Sequence, residues 1–128
     1  MTTPSLVWFR QDLRLADHPA LTAALADGRP VLPVFVLDDE AAGRWRYGGA
    51  ARWWLKESLK ALSADLAARG APLMLARGRA ETVLPALADG VGAADVHAGR
   101  LTEPWAREQT RRVEEALRDA GRALRLHT

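Results

Sequence analysis

With 128 residues, 48% of them apolar and none of them cysteine, the chain fits a single domain with one real core, and disulfides, thiolate zinc sites and cysteine nucleophiles are excluded. Eighteen basic and sixteen acidic side chains nearly cancel, leaving +2, so composition shows no concentrated basic face of the kind nucleic-acid binders carry. The chain has no apolar stretch of membrane-spanning length, and its first apolar run is broken by Arg10 and Asp12, so neither a membrane span nor a secretory signal is expected and the chain reads as cytoplasmic.

Short β-rich runs alternate with helical stretches. Ser5 to Phe9 has strand length. A helix follows, capped by Asp17 or His18, with Pro19 in its first turn and an end near Asp27-Gly28. Val31 to Leu37 is almost wholly apolar, as a strand covered on both faces should be. Pro33 donates no ladder hydrogen bond and is expected at a bulge or near the strand's start. Leu55, Leu59, Leu62 and Leu66 then form one helical stripe closed by Gly70. Leu73 to Ala76 is a third strand. Glu81 to Asp89 is a helix whose start Pro85 restricts. Asp95 to Ala98 is a weaker fourth strand. Thr102 is the expected cap of a last helix with Glu103 and Pro104 in its first turn and Gly121 beyond its end. Ala123 to Leu126 is the fifth strand. Glu103–Arg107, Glu108–Arg112 and Glu114–Arg118 are i, i+4 pairs and read as a solvated face.

Five such alternations imply an α/β domain, doubly wound and Rossmann-like, with a parallel five-stranded sheet and helices on both faces. Ligands of open sheets sit outside the carboxyl ends of the strands. The candidate binding loops are therefore Arg10–His18, Asp38–Gly49 and Gly99–Glu103. The first strand runs into Arg10-Gln11-Asp12-Leu13-Arg14-Leu15, with no glycine-rich turn, so the dinucleotide fingerprint and the P-loop are both absent. The three serines near ordered segments do not stand at a strand-to-helix elbow. The three histidines lack metal-ligand spacing, and no metal site is expected.

In the first loop Arg10, Asp12, Arg14 and Asp17 alternate with uncharged residues. Two readings stand. The charges pair with one another and with backbone groups, stiffening the loop. Alternatively Arg10 faces the crevice and offers donors to an anionic or carbonyl-bearing ligand.

The segment Val7 to Leu21, VWFRQDLRLADHPAL, closely resembles the opening signature of DNA photolyases and cryptochromes. The matching positions are Trp8, Arg10, Asp12, Leu13, Arg14, Asp17, Pro19, Ala20 and Leu21, with His18 where the family often has Asn. Phe35-Val36-Leu37-Asp38, the helix containing Arg52 and Leu55, and Glu103-Pro104 extend the similarity in order along the chain. The resemblance implies strand order 3-2-1-4-5 and a two-domain parent whose first domain is residues 1–128. That first domain can hold an antenna chromophore. The second domain, helical and not contained in these residues, would hold FAD and split pyrimidine dimers in DNA. Damaged DNA would be a partner only of the full-length protein, and this chain alone is expected to have no lyase activity. Trp105 and Ala106 stand where folate-binding members carry an Asn-Glu pair, so folate is disfavoured. Leu101 stands where deazaflavin-type members carry an acidic residue. The candidate cofactor-binding residues are Arg10, Asp38, Arg52, Trp54 and Arg100, for a flavin or deazaflavin or for no antenna at all. No catalytic residue is assigned.

Trp8 is expected in the core. Trp53 and Trp54 are adjacent and point to different helix faces, so at most one can enter it. A cryptochrome-type photoreceptor domain is an alternative within the same resemblance. A stand-alone nucleotide- or flavin-binding module is another, although Gly99 is a poor substitute for the glycine-rich loop it would need after the fourth strand.

Overall fold

The computed structural model describes residues 3–38 and 49–128. In chain order it contains β1 (Ser5–Phe9), α1 (Pro19–Ala26), β2 (Val31–Leu37), α2 (Gly49–Ala68), β3 (Met74–Arg77), α3 (Ala80–Val91), β4 (Asp95–Gly99), α4 (Pro104–Asp119) and β5 (Ala123–His127). The strands form one sheet in the order β3-β2-β1-β4-β5, and every neighbouring pair is parallel. This is the doubly wound α/β architecture and strand order expected from the sequence and the resemblance. No described helix is long and apolar enough to cross a membrane.

Alternate residues of the strands supply the two faces. Leu6, Trp8, Val34, Val36, Val96 and Ala98 pack with Ala80, Leu84 and Ala88 of α3 and Val113 and Leu117 of α4. Val7 and Phe9 pack on the other face with Ala20 and Ala24 of α1 and Leu62 and Leu66 of α2. Trp8 is thus core. Trp53 and Trp54 are both exposed, at 55% and 66%, and neither enters it.

Several local expectations change. Pro33 lies inside β2 without a bulge, opposite Val7. The Ser5 amide donates to the Pro30 carbonyl, so the even-numbered residues of β2 turn toward β1 and Pro33 turns toward β3. The β3 ladder begins only at Val34–Met74, so the missing proline N–H has no ladder partner to lose. Helix α3 starts at Ala80 and carries Pro85 within it. Proline there removes one hydrogen bond, to the residue four before it, while the Asp38 carboxylate secures the helix start by accepting from the Ala80 amide at 2.9 Å. Thr102 is not the cap of α4. Glu103 occupies that position without a side-chain capping bond, and Pro104 opens the helix. His18 does cap α1, its Nδ1 accepting from the Leu21 amide at 3.0 Å.

Candidate functional site

The strand ends at the carboxyl edge of the sheet meet the first turns of α3 and α4. Arg10 follows β1 directly and continues its alternation, so its side chain turns to the face of Leu6 and Trp8. Its guanidinium lies 4.2 Å from the Trp8 ring centroid. Arg10 is only 6% exposed. Nη1 donates to Thr110 Oγ1 at 2.8 Å and to the Gly99 carbonyl at 3.4 Å. Nη2 donates to Gln109 Oε1 at 2.7 Å and to the Ala106 carbonyl at 3.2 Å. Gln109 Nε2 in turn donates to Asp38 Oδ2 at 3.3 Å. One chain of hydrogen bonds, Arg10–Gln109–Asp38–Ala80, therefore joins the ends of β1 and β2 to the starts of α3 and α4. Burial pushes the Arg10 pKa down to about 10, against the pull of Asp12 and Glu103, and the group stays cationic at neutral pH. Arg10 thus points inward, toward α4.

The rest of the first loop is tied to itself. Asp12 Oδ1 accepts from the Arg10 amide at 2.9 Å, and Oδ2 lies 3.0 Å from His18 Nε2. Since His18 Nδ1 accepts from Leu21, Nε2 carries the ring proton toward Asp12. Burial alone would raise the Asp12 carboxyl. The His18 and backbone hydrogen bonds outweigh it and hold the group below the ordinary aspartate value. Arg14 donates to the carbonyls of Ala16 and Asp17. Gly99 fits here because it is small: a Cβ would stand 3.0 Å from Asp12 Oδ2. Asp12 and Arg14 thus bond within the loop and to His18, as the first of the two readings holds, while Arg10 reaches out of the loop to Gly99 and α4.

Two open cavities flank this frame. A groove of about 460 Å³ has Leu37, Leu55, Leu59 and Leu75 as its floor and Arg52, Lys56, Lys60 and Arg77 around it. It lies between α2 and the edge strand β3, where Leu75 is 64% exposed. A second cavity, of about 400 Å³, lies beside the ends of β4 and β5 and includes Arg100, Leu101, Thr102, Arg107 and Leu126. The five candidate residues thus separate. Arg10 and Asp38 belong to one buried frame, Arg52 lines the groove, Arg100 lines the second cavity, and Trp54 stands exposed on α2. Most of the candidate loop Asp38–Gly49 lies outside the described residues.

Gln109, the link between Arg10 and Asp38, was not among the sequence candidates. A signal existed. Ala106, Gln109, Val113 and Leu117 are the buried residues of α4, so a glutamine occupies an otherwise apolar helical stripe, where an amide needs partners.

A family model described as DNA photolyase matches residues 5–128. The chain is similar to a deoxyribodipyrimidine photo-lyase of Agrobacterium fabrum, 42% identical over 124 residues, which cover 97% of this chain and 25% of that protein. It is also similar to cryptochrome-2 of Arabidopsis thaliana, 38% identical over 94% of this chain and 20% of the relative. A crystal structure of a bacterial class III photolyase from Agrobacterium tumefaciens superposes with a TM-score of 0.89 at 41% identity, over 98% of this chain and 26% of that one. The chain therefore spans about a quarter of the length of the proteins it matches.

Proposed function

Since the chain belongs to the DNA photolyase family, we propose that it is the amino-terminal, light-harvesting domain of a deoxyribodipyrimidine photolyase, whose full-length form repairs pyrimidine dimers in DNA with FAD. The observation that carries this is the match itself, which runs through residues 5–128 while spanning 20–26% of the length of the relatives named above. The partners in this reading are a helical FAD domain and, through it alone, damaged DNA, in the cytoplasm.

The groove supports a binding role for this chain. Its leucine floor suits a planar ring, and Arg52, Lys56, Lys60 and Arg77 suit the phosphate or acidic tail of a flavin or deazaflavin. Asp38 directly follows Leu37 of the groove, and its bonds to Gln109 and Ala80 hold the end of β2 against α4 and α3 on the opposite face of the sheet, with Arg10 bonded to the same Gln109. Trp54, on the same helix, and Arg100, in the second cavity, are the remaining candidate contacts. When bound, such a chromophore supplies light absorption, and energy passes through space to the FAD of the partner domain. The chain's own residues bind, orient and exclude water. No lyase activity is expected of the chain alone.

The test is an absorption and fluorescence titration of the chain with FMN, FAD, a deazaflavin and a reduced folate. A flavin or deazaflavin should bind with a shifted or quenched spectrum, and Arg52→Ala should weaken it about tenfold, as loss of one charged contact does. Failure of all four to bind sinks the antenna role. The plant relative supports a photoreceptor domain of the cryptochrome kind as a second reading. Repair of dimer-containing DNA by the full-length protein, or its absence, separates the two.

A further inference from the structure

The face of β4 turned toward α1 carries a polar cluster that light harvesting does not use. Asp95 and His97 stand two residues apart on β4, hence on one side, and each is 2% exposed. Asp27 is the C-cap of α1. His97 Nε2 lies 3.4 Å from Asp95 Oδ1 and 3.6 Å from Asp27 Oδ2. It is buried and has no hydrogen-bond partner among the described residues. These three ligand-type atoms all fall within 4.8 Å of one another.

We propose that Asp27, Asp95 and His97 form a binding site for a divalent transition-metal ion of the zinc type, which clips the end of α1 to β4. Tetrahedral bonds of about 2.0–2.1 Å place ligand atoms roughly 3.3–3.4 Å apart, close to the spacings around His97 Nε2. One imidazole nitrogen and two carboxylate oxygens are a donor set for zinc and its neighbours.

The surroundings already orient these ligands. His97 Nδ1 lies 2.9 Å from His127 Nε2. With His97 donating Nδ1–H to His127, the Nε2 lone pair is free for the ion. Ser5 Oγ donates to Asp95 Oδ1 at 2.7 Å, and Arg125 Nε donates to Asp95 Oδ2 at 2.7 Å. Ligating histidines and carboxylates are held by this kind of outer hydrogen bond. Beside Arg125, which pairs with Asp95 Oδ2 and leaves Oδ1 toward His97, the nearby cation is Arg29, whose Nη1 lies 3.9 Å from both Asp27 and Asp95. That is too long for a hydrogen bond. The Arg29 side chain is 40% exposed and Asp27 41%, so the arginine can turn to water and an ion has a way in. Asp27, at the end of α1, is far in sequence from the Asp95-Val96-His97 pair on β4, so no single short motif unites the three ligands.

The experiment is calorimetric titration of the untagged, chelator-treated chain with Zn²⁺. Mg²⁺ serves as a control, and Co²⁺ is followed by visible absorption. One Zn²⁺ per chain should bind with a Kd below about 100 μM, with visible cobalt bands and a raised thermal midpoint. Asp27→Asn, at an exposed position, should weaken binding at least tenfold without unfolding the chain, and His97→Gln should abolish it. His127→Gln should weaken it about tenfold through the orientation of His97. Weaker Zn²⁺ binding by the parent chain, or an affinity that Asp27→Asn leaves unchanged, overturns the site. Either result leaves the light-harvesting proposal intact.

Discussion

The two faces of this sheet are made from alternate residues of the same strands, yet they are built to different ends. Among the described residues, thirteen buried side chains form the cluster under α3 and α4, and six form the cluster under α1 and α2. The larger face is apolar nearly throughout. Its polar entrants, Arg10 and Gln109, stand at the carboxyl edge and are bonded to each other and to backbone. The smaller face is apolar beneath β1 and polar beneath β4, where Asp95 and His97 lie. Toward β3 it opens into the groove over Leu75. Alternation assigns a side chain to a face, and the covering helix decides whether that face is closed. Stability is expected chiefly from the closed face, and the proposed binding role falls to the open one.

The largest expected effect tests that division directly. Leu84 is fully buried on the closed face. Leu84→Ala should destabilise the chain by about 3–5 kcal/mol, from lost transfer free energy and the cavity left behind. Leu59→Ala makes the same chemical change at the half-buried groove and should cost no more than about 1.5 kcal/mol. Urea unfolding of both variants measures the difference, and equal losses would break the comparison.

Next is the edge where the closed face meets the site. Arg10→Met keeps the stem over Trp8 and removes the donors to Gln109 Oε1, Thr110 Oγ1 and the Ala106 carbonyl. Leaving buried acceptors without partners costs roughly 2–4 kcal/mol. Gln109→Leu should be milder alone, and the double variant should fall short of the sum, because the two residues share one network. Additive losses in urea unfolding would mean that Arg10 and Gln109 act separately.

How much of this was legible depended on distance along the chain. Ser5–Phe9 and Val31–Leu37 are the strands expected from their apolar runs, and the leucine stripe closed by Gly70 marks the body and end of α2, because each is a local pattern. Asp38 accepts from Gln109, 71 residues away, and Arg10 donates to Gln109 at a separation of 99. No local pattern encodes such contacts. They arise once β1, β2 and α4 are set side by side. For that reason the five candidate residues do not gather in one place but fall into four environments: the Arg10–Asp38 frame, the groove, the second cavity and the exposed face of α2. Pro85 and Thr102 are poor markers of the helix starts for a related reason. A cap from the distant Asp38 fixes α3, and Pro104 rather than a threonine hydroxyl opens α4.

A smaller effect is pH dependent. The Asp12 carboxyl is held below its ordinary value by His18 and backbone donors despite burial. A lowered folded pKa contributes stability that is fully present above the unfolded value, about 3.9, and is lost as pH falls through the folded one. Unfolding free energy measured between pH 5 and 2 should therefore drop more steeply in the parent chain than in Asp12→Asn. Parallel curves would show that the Asp12–His18 pair adds nothing to the acid limb and that the first loop is held by backbone bonds alone.

The smallest expected effect carries the sharpest separation of the two regions. Leu75 is 64% exposed on the edge strand β3, so little apolar surface is buried there to lose. Leu75→Thr keeps a strand-favouring side chain and should change stability by no more than about 0.5 kcal/mol. Leu75 nevertheless forms part of the leucine floor of the groove. The same substitution should therefore weaken flavin or deazaflavin binding several-fold in the fluorescence titration. An exposed leucine that matters to a ligand and not to the fold is what an open binding face requires. If Leu75→Thr instead unfolds the chain as Leu84→Ala does, the edge of β3 is structural and the groove loses its claim to be built for a ligand.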